Sequence, residues 1–398
     1  MELMKILMFL FGVVSLFAVP SFHSFILAHI FLLGCFFLGT LIIFTKNIFL
    51  SEKEIFILSL GILFYASTLI GALNSNLTAG LITSQIFLLC LLTVFIAFKI
   101  DQNLIYIYLK GFTYSGIITS LYCMVDYIYF IKFNQTITTA IFPPALLGKA
   151  MGHTFVNLQN IKGIVFYRPS GLSWDPGFSI TGIALSFVMV NEGIVKYKFK
   201  KLVLLIMVIG MLLSISKASI ITVLTYLIFK LFQNINLFFS HVKFSVIALL
   251  TFLSFLVFLY IGLFINPDKF NQDISRHLKY FSSIFYVYRE NLLGFLFGYG
   301  YTGIGVYFNR YVGWLKRQGE IPPNLNPEST LTDTFFYGGL VGASFWVYSF
   351  IVAFKKGDSR IKLVLFSMLL LTYGYIITSV WFNTVYLSVI LLAINNKS

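Results

Sequence analysis

From Phe25 to Phe44 the chain reads FILAHIFLLGCFFLGTLIIF, with one histidine and no formal charge. Runs of this kind recur along nearly the whole sequence. A helix of about 20 residues rises about 30 Å, the thickness of a bilayer's hydrocarbon core. In hydrocarbon every backbone N–H and C=O must be satisfied by the chain itself, so only helices or closed barrels can cross. The runs are continuously apolar rather than alternating, which excludes a barrel. Of 398 residues, 59% are hydrophobic and 11% charged, against about 45–50% and about 25% in soluble domains. The sequence thus predicts an all-α polytopic membrane protein forming a single integral membrane domain over residues 1–398.

Twelve spans are expected near 4–20, 22–45, 54–73, 79–99, 104–131, 177–194, 201–215, 218–236, 245–265, 335–354, 361–378 and 380–394. Eleven results if LLSISKASIITV is one broken helix rather than a tight turn. The first run resembles a signal peptide in having Lys5 ahead of an apolar stretch, but the many later runs favour a first span. Cys35, Cys90 and Cys123 all fall in apolar runs without metal-ligand spacing, so core packing is expected. The formal net charge of +14 reads first as membrane orientation and contact with anionic headgroups rather than nucleic acid.

Lysine and arginine placement sets the expected sidedness. With the N-terminus in the cytoplasm, Lys5, Lys46, Lys53, Lys99, Lys196, Lys198, Lys200, Lys201, Lys230, Lys243, Lys355, Lys356, Arg360, Lys362 and Lys397 fall on inside segments. The short outside turns near 20, 74–78 and 379 hold no cation, and Lys217 is the one short-turn exception. The other outside cations collect in two long loops, 132–176 and 266–334, where the rule does not apply. Loops this long are usually functional.

The first loop ends in YRPSGLSWDPGFS, residues 167 to 179. Arg168 offers a planar fork of donors suited to phosphate or carboxylate; it reads equally well as a snorkelling cation. Pro169 biases Arg168 toward extended backbone. Asp175 and Pro176 fit the N-cap and first helical positions of the next span. The second loop opens with NPDKFNQDISRHLKYFSSIFYVYREN. There Ile274, Leu278, Phe281 and Phe285 share a helical face, ringed by Arg276, His277, Lys279 and Arg289, as in an interfacial helix. GFLFGYGYTGIG follows. Its glycines suit either a flexible loop or a backbone nest for an anion. PPNLNPESTLTDTFFYGGLVGASF closes the loop and starts a helix at Glu328, with Asp333 further on. A carboxylate there is a capping feature, or a general base if a hydroxyl is held beside it. Tyr280, Tyr286, Tyr288, Tyr299, Tyr301, Tyr307, Tyr311 and Trp314 read as an interfacial aromatic belt, with a minority available to stack on sugars.

The order of these pieces resembles the O-antigen polymerase and O-antigen ligase family of bacterial envelope glycosyltransferases. Four segments carry the resemblance: RPSGLSWDPGFSITGIALSF; LLSISKASIITVLTYLIF, with Lys217 where that family usually has arginine; ISRHLKY with LLGFLFGYGYTG; and ESTLTDTFFYGGLVGASF. It implies a glycosyltransferase-C-like membrane fold and a metal-independent, cofactor-free transfer at the outer face of the bacterial cytoplasmic membrane, with both termini inside. The implied donor is a glycan on undecaprenyl pyrophosphate, and the implied partners are a chain-length regulator and a flippase. Arg168 and Arg276, with Lys217, would hold the pyrophosphate. Glu328, where ligases usually have histidine, would activate the acceptor hydroxyl and so point to a polymerase. Asp175, Arg289 and Asp333 would support. Convergent cations make pyrophosphate a good leaving group without a metal, and one carboxylate suffices for inversion. The rival expectations are a ligase using another acceptor, a flippase for the same lipid-linked glycans, and a membrane scaffold. Asp126 is the clearest within-span acid and sits toward the outer end of its span, which fits a midplane transport site poorly.

Overall fold

The computed structural model describes residues 1–16, 24–45, 50–73, 77–137, 157–161, 164–169, 176–214, 217–234, 286, 291–300, 311–314, 316–317, 330–374 and 380–395. The helices, in chain order, are α1 (Glu2–Ser15), α2 (Ser24–Phe44), α3 (Glu52–Leu73), α4 (Leu77–Ile100), α5 (Gln102–Phe133), α6 (Pro176–Asn191), α7 (Lys200–Ser214), α8 (Lys217–Asn234), α9 (Leu292–Phe297), α10 (Thr330–Lys356), α11 (Ser359–Gly374) and α12 (Val380–Ile394). Five of them, α2, α3, α4, α5 and α10, contain stretches long and apolar enough to cross a membrane. The chain is an all-α multi-pass membrane protein. Helices lie on the expected apolar stretches except 245–265, which is outside the described residues. Three elements were not expected. Strands β1 (Asn157–Ile161) and β2 (Ile164–Arg168) form an antiparallel hairpin in the first long loop, pairing Asn157 with Arg168 and Ile161 with Ile164. The short helix α9 lies in the second.

Local chemistry accounts for the helix ends. Asp101 is extended and its carboxylate accepts from Asn103 N (2.9 Å), capping α5; Asn134 takes the left-handed conformation (φ 55°) that stops it. Ser51 and Glu54 form a reciprocal box at the start of α3, with Ser51 N donating to Glu54 at 2.7 Å. Pro176 occupies the first position of α6, where its missing N–H costs nothing.

The bundle is drawn together by small residues. A Cβ on Gly12 would lie 2.1 Å from Tyr108 O, and one on Gly111 2.1 Å from Phe9 O, so α1 and α5 cross with their backbones nearly touching. Cys35, Cys90 and Cys123 are free and buried, as expected of packing residues. Phe37, Leu41 and Phe44 on α2 face outward, the inverse of a soluble protein and proper to a lipid-facing helix.

Cations gather at one end. Lys99, closing α4, meets the buried Glu54 carboxylate at 2.5 Å. Lys230 meets Glu192 at 2.6 Å, and Lys200 donates to Asn191 O at 2.8 Å. The α6–α7 connection lies against the first part of α5 through Tyr197 OH and Thr113 Oγ1 (2.7 Å). This is the end that charge placement assigns to the cytoplasm.

Candidate functional site

The opposite end holds the described part of the candidate site. Arg168 ends β2 and is half-buried. Its Nε donates to Ser214 O at 2.9 Å. Ser214 closes α7, where main-chain carbonyls lack helical partners and carry the negative end of the helix dipole. The bond therefore does what a capping cation does. Among the described residues that bond uses Nε alone, and the two Nη nitrogens make no hydrogen bond or ion pair; a planar pair of donors of this kind suits phosphate or carboxylate.

The strand that carries Arg168 is itself anchored. Tyr167 is buried; its ring stacks on Phe130 of α5 at 3.9 Å between centroids and 16° between planes. Its hydroxyl donates to Asp126 Oδ2. The other carboxylate oxygen of Asp126 accepts from Ile137 N at 2.7 Å. Burial holds the Tyr167 phenol well above its ordinary value, and the bond to Asp126 adds to the rise. The within-span acid noticed in the sequence thus has a partner that the sequence did not disclose. It pins the hairpin to the last turns of α5.

Lys217 begins α8 three residues beyond Ser214, which keeps its Cα within about 11 Å of the serine's by chain length alone. The end of α7 that Arg168 bonds thus leads directly into the start of α8 at Lys217. The side chains of Lys217 and Asp333, and all of Asp175, Arg276, Arg289 and Glu328, lie outside the described residues.

The glycine-rich segment departs from one of its expected forms. After α9, the N–H groups of Gly298, Tyr299 and Gly300 are directed at protein carbonyls: Gly294 O (2.8 Å), Phe336 O (2.7 Å) and Tyr337 O (3.1 Å). They are spent, so residues 298–300 form no anion nest; Gly303 and Gly305 of the expected segment lie outside the described residues. Its role follows from α10, which breaks at Gly339 (φ 61°, ψ −158°). The break takes the carbonyls of Phe336, Tyr337 and Gly338 out of the helical ladder. Tyr299 N and Gly300 N satisfy two of them, and Ser67 Oγ of α3 takes the third at 2.6 Å while also reaching Phe297 O at 3.1 Å. Irregular backbone at this depth survives only when its polar groups are answered in this way. Part of the second loop thus re-enters the bundle between α3 and α10. Tyr299 and Tyr311 pack with Phe335 and Phe336 in a small core of their own. Both are buried, which removes them from the expected aromatic belt and from the surfaces open to a sugar.

Fold and site together define a multi-pass helical membrane protein with a cation fork at the end opposite its basic face. Compared with known protein families and with curated proteins, the chain matches no family model and no curated protein.

Proposed function

We propose that this protein polymerises undecaprenyl-pyrophosphate-linked oligosaccharide repeat units at the outer face of the bacterial cytoplasmic membrane. The growing glycan passes to the acceptor repeat with inversion. The observation that carries the reading is the guanidinium of Arg168, held through Nε at Ser214 O with its other donors unused among the described residues, on the carbonyl end of the helix that precedes Lys217. A diphosphate leaving group asks for such a fork, because spreading its charge over fixed cations lowers the barrier without a metal. In this scheme Arg276 completes the grip and Glu328 takes the proton from the attacking hydroxyl, with Asp175, Arg289 and Asp333 in supporting places. A chain-length regulator and a flippase would work beside it, and the product would enter O-antigen, capsule or exopolysaccharide.

A second reading, a flippase for the same lipid-linked glycans, draws on the broken helix α10, since transporters often build their sites at helix breaks. Against it, the freed carbonyls at Gly339 are capped by α3 and by residues 299–300 rather than facing a charged cavity.

Arg168→Ala, Arg276→Ala and Glu328→Gln are expected to abolish polymer while the protein still inserts, with single lipid-linked repeats accumulating on the outer leaflet. Repeats left facing the cytoplasm in a leaflet-accessibility assay identify the flippase instead. Unchanged polymer in all three variants refutes both the enzyme and its assigned residues.

A further inference from the structure

Arg168 is held at two points, and both trace to one face of α5. Residues 116, 120, 123, 126 and 130 recur at helical spacing along that face. Gly116 lets Ser186 of α6 approach, and Ser120 fits against Gly210 of α7 so closely that a Cβ there would lie 2.7 Å away. Cys123 accepts from Ser214 Oγ at 3.7 Å. The upper part of the stripe therefore fixes the end of α7, and with it the carbonyl that Arg168 bonds. One turn further, Asp126 and Phe130 fix Tyr167, and with it the strand that carries Arg168.

Neighbouring residues of a strand point to opposite faces. Turning Tyr167 onto α5 therefore turns Arg168 away from it, and a slip of one residue would exchange the two. Asp126 is not the counter-ion of Arg168. Its two oxygens accept from Ile137 N and Tyr167 OH, and no ion pair joins it to Arg168 among the described residues.

We propose that Asp126 and Tyr167 are positioning residues. By docking the hairpin on α5 they set the register of β2, so that Arg168 meets Ser214 O edge-on and keeps its Nη pair for an anion. The consequence for catalysis rests on the polymerase reading above; the positioning itself does not.

The full-length protein in nanodiscs is treated with an arginine-selective dicarbonyl, and the rate of modification at residue 168 is read by mass spectrometry. Tyr167→Phe keeps the ring stack and removes only the hydroxyl; it should raise the rate about fivefold, the worth of one buried hydrogen bond. Asp126→Ala and Tyr167→Ala should raise it at least as far, with faster hydrogen exchange confined to residues 157–168. Rates at residue 168 that stay at the wild-type value in all three variants overturn the proposal, and so does exchange that quickens equally in α4 and α10, because the effect is then general loosening. Polymerisation is measured in parallel. If Arg168→Ala abolishes polymer, the three variants should raise the Michaelis constant for the lipid-linked donor in the order of their modification rates. If Arg168→Ala leaves polymer intact, the polymerase reading fails, while the modification rates still decide the positioning.

Discussion

Replacing Gly339 with alanine should undo the docking of the re-entrant segment. Gly339 (φ 61°, ψ −158°) and Gly298 (φ 75°, ψ −162°) occupy a region of backbone space that is essentially restricted to glycine, and a side chain there costs about 1–3 kcal/mol of strain. Sterics add to it. A Cβ on Gly339 would sit 2.4 Å from Leu296 C and O, and one on Gly298 2.6 Å from Tyr337 C and O. Both obstacles are main chain, so the relief is for α9 to move off α10. That movement breaks the bonds from Tyr299 N, Gly300 N and Ser67 Oγ, each worth about 1 kcal/mol net. The total is about 4–6 kcal/mol, and at tenfold per 1.4 kcal/mol the amides of Tyr299 and Gly300 should exchange about a thousand- to ten-thousandfold faster. Two companions isolate the causes. Ser67→Ala removes only the hydroxyl and should accelerate exchange about fivefold. Gly338→Ala meets a Phe64 ring edge rather than backbone, at 2.6 Å, and should fall below Gly339→Ala. If Gly298→Ala and Gly339→Ala leave exchange at wild-type rates while Ser67→Ala quickens it, the argument from backbone conformation is wrong.

Gly111→Leu should separate α1 from α5, since even a Cβ there overlaps Phe9 O; disulfide trapping between cysteines placed on the two helices should fall sharply, and undiminished trapping contradicts the close crossing. Lys99→Met strands the buried Glu54 carboxylate and should destabilise by about 3–5 kcal/mol; adding Glu54→Gln should recover part of that loss in thermal unfolding, and strict additivity of the two changes would deny the pairing. Burial pushes the Tyr197 phenol up to about 12, with its bond to Thr113 opposing the rise. A folded group that holds its proton while the unfolded one releases it contributes stability that is fully present below about pH 10. That contribution should fade as pH climbs toward 12, and Tyr197→Phe should flatten this part of the stability profile. An unchanged profile in the variant would assign the fading to other groups.

Charge-poor runs of bilayer length left no alternative to helices, because hydrocarbon offers backbone groups no partner outside their own segment. For the same reason the positions of α2, α3, α4 and α5 were readable to within a few residues, and Pro176 marked the start of α6. The placement of lysines read as one basic end, and the structure gathers Lys99, Lys200 and Lys230 there. What periodicity and composition leave undecided is which distant groups meet. Asp126 stood out as an acid in an apolar run, yet its partner lies 41 residues away in a hairpin. That hairpin was masked because β1 and β2 are too short to show alternation against a polar loop. Arg168 could be named from its neighbours, but its hold on Ser214 O depends on how α5 packs with α7. The glycines of residues 298–300 illustrate the limit most plainly. Their spacing suits a turn that offers N–H groups, and only the tertiary fold determines that the takers are Gly294 O for Gly298 and, through the break at Gly339, carbonyls of α10 for Tyr299 and Gly300. Local sequence sets which bonds a segment is able to make; the tertiary fold selects which are made, because unsatisfied polar groups inside a bilayer must find whatever partner packing brings within reach.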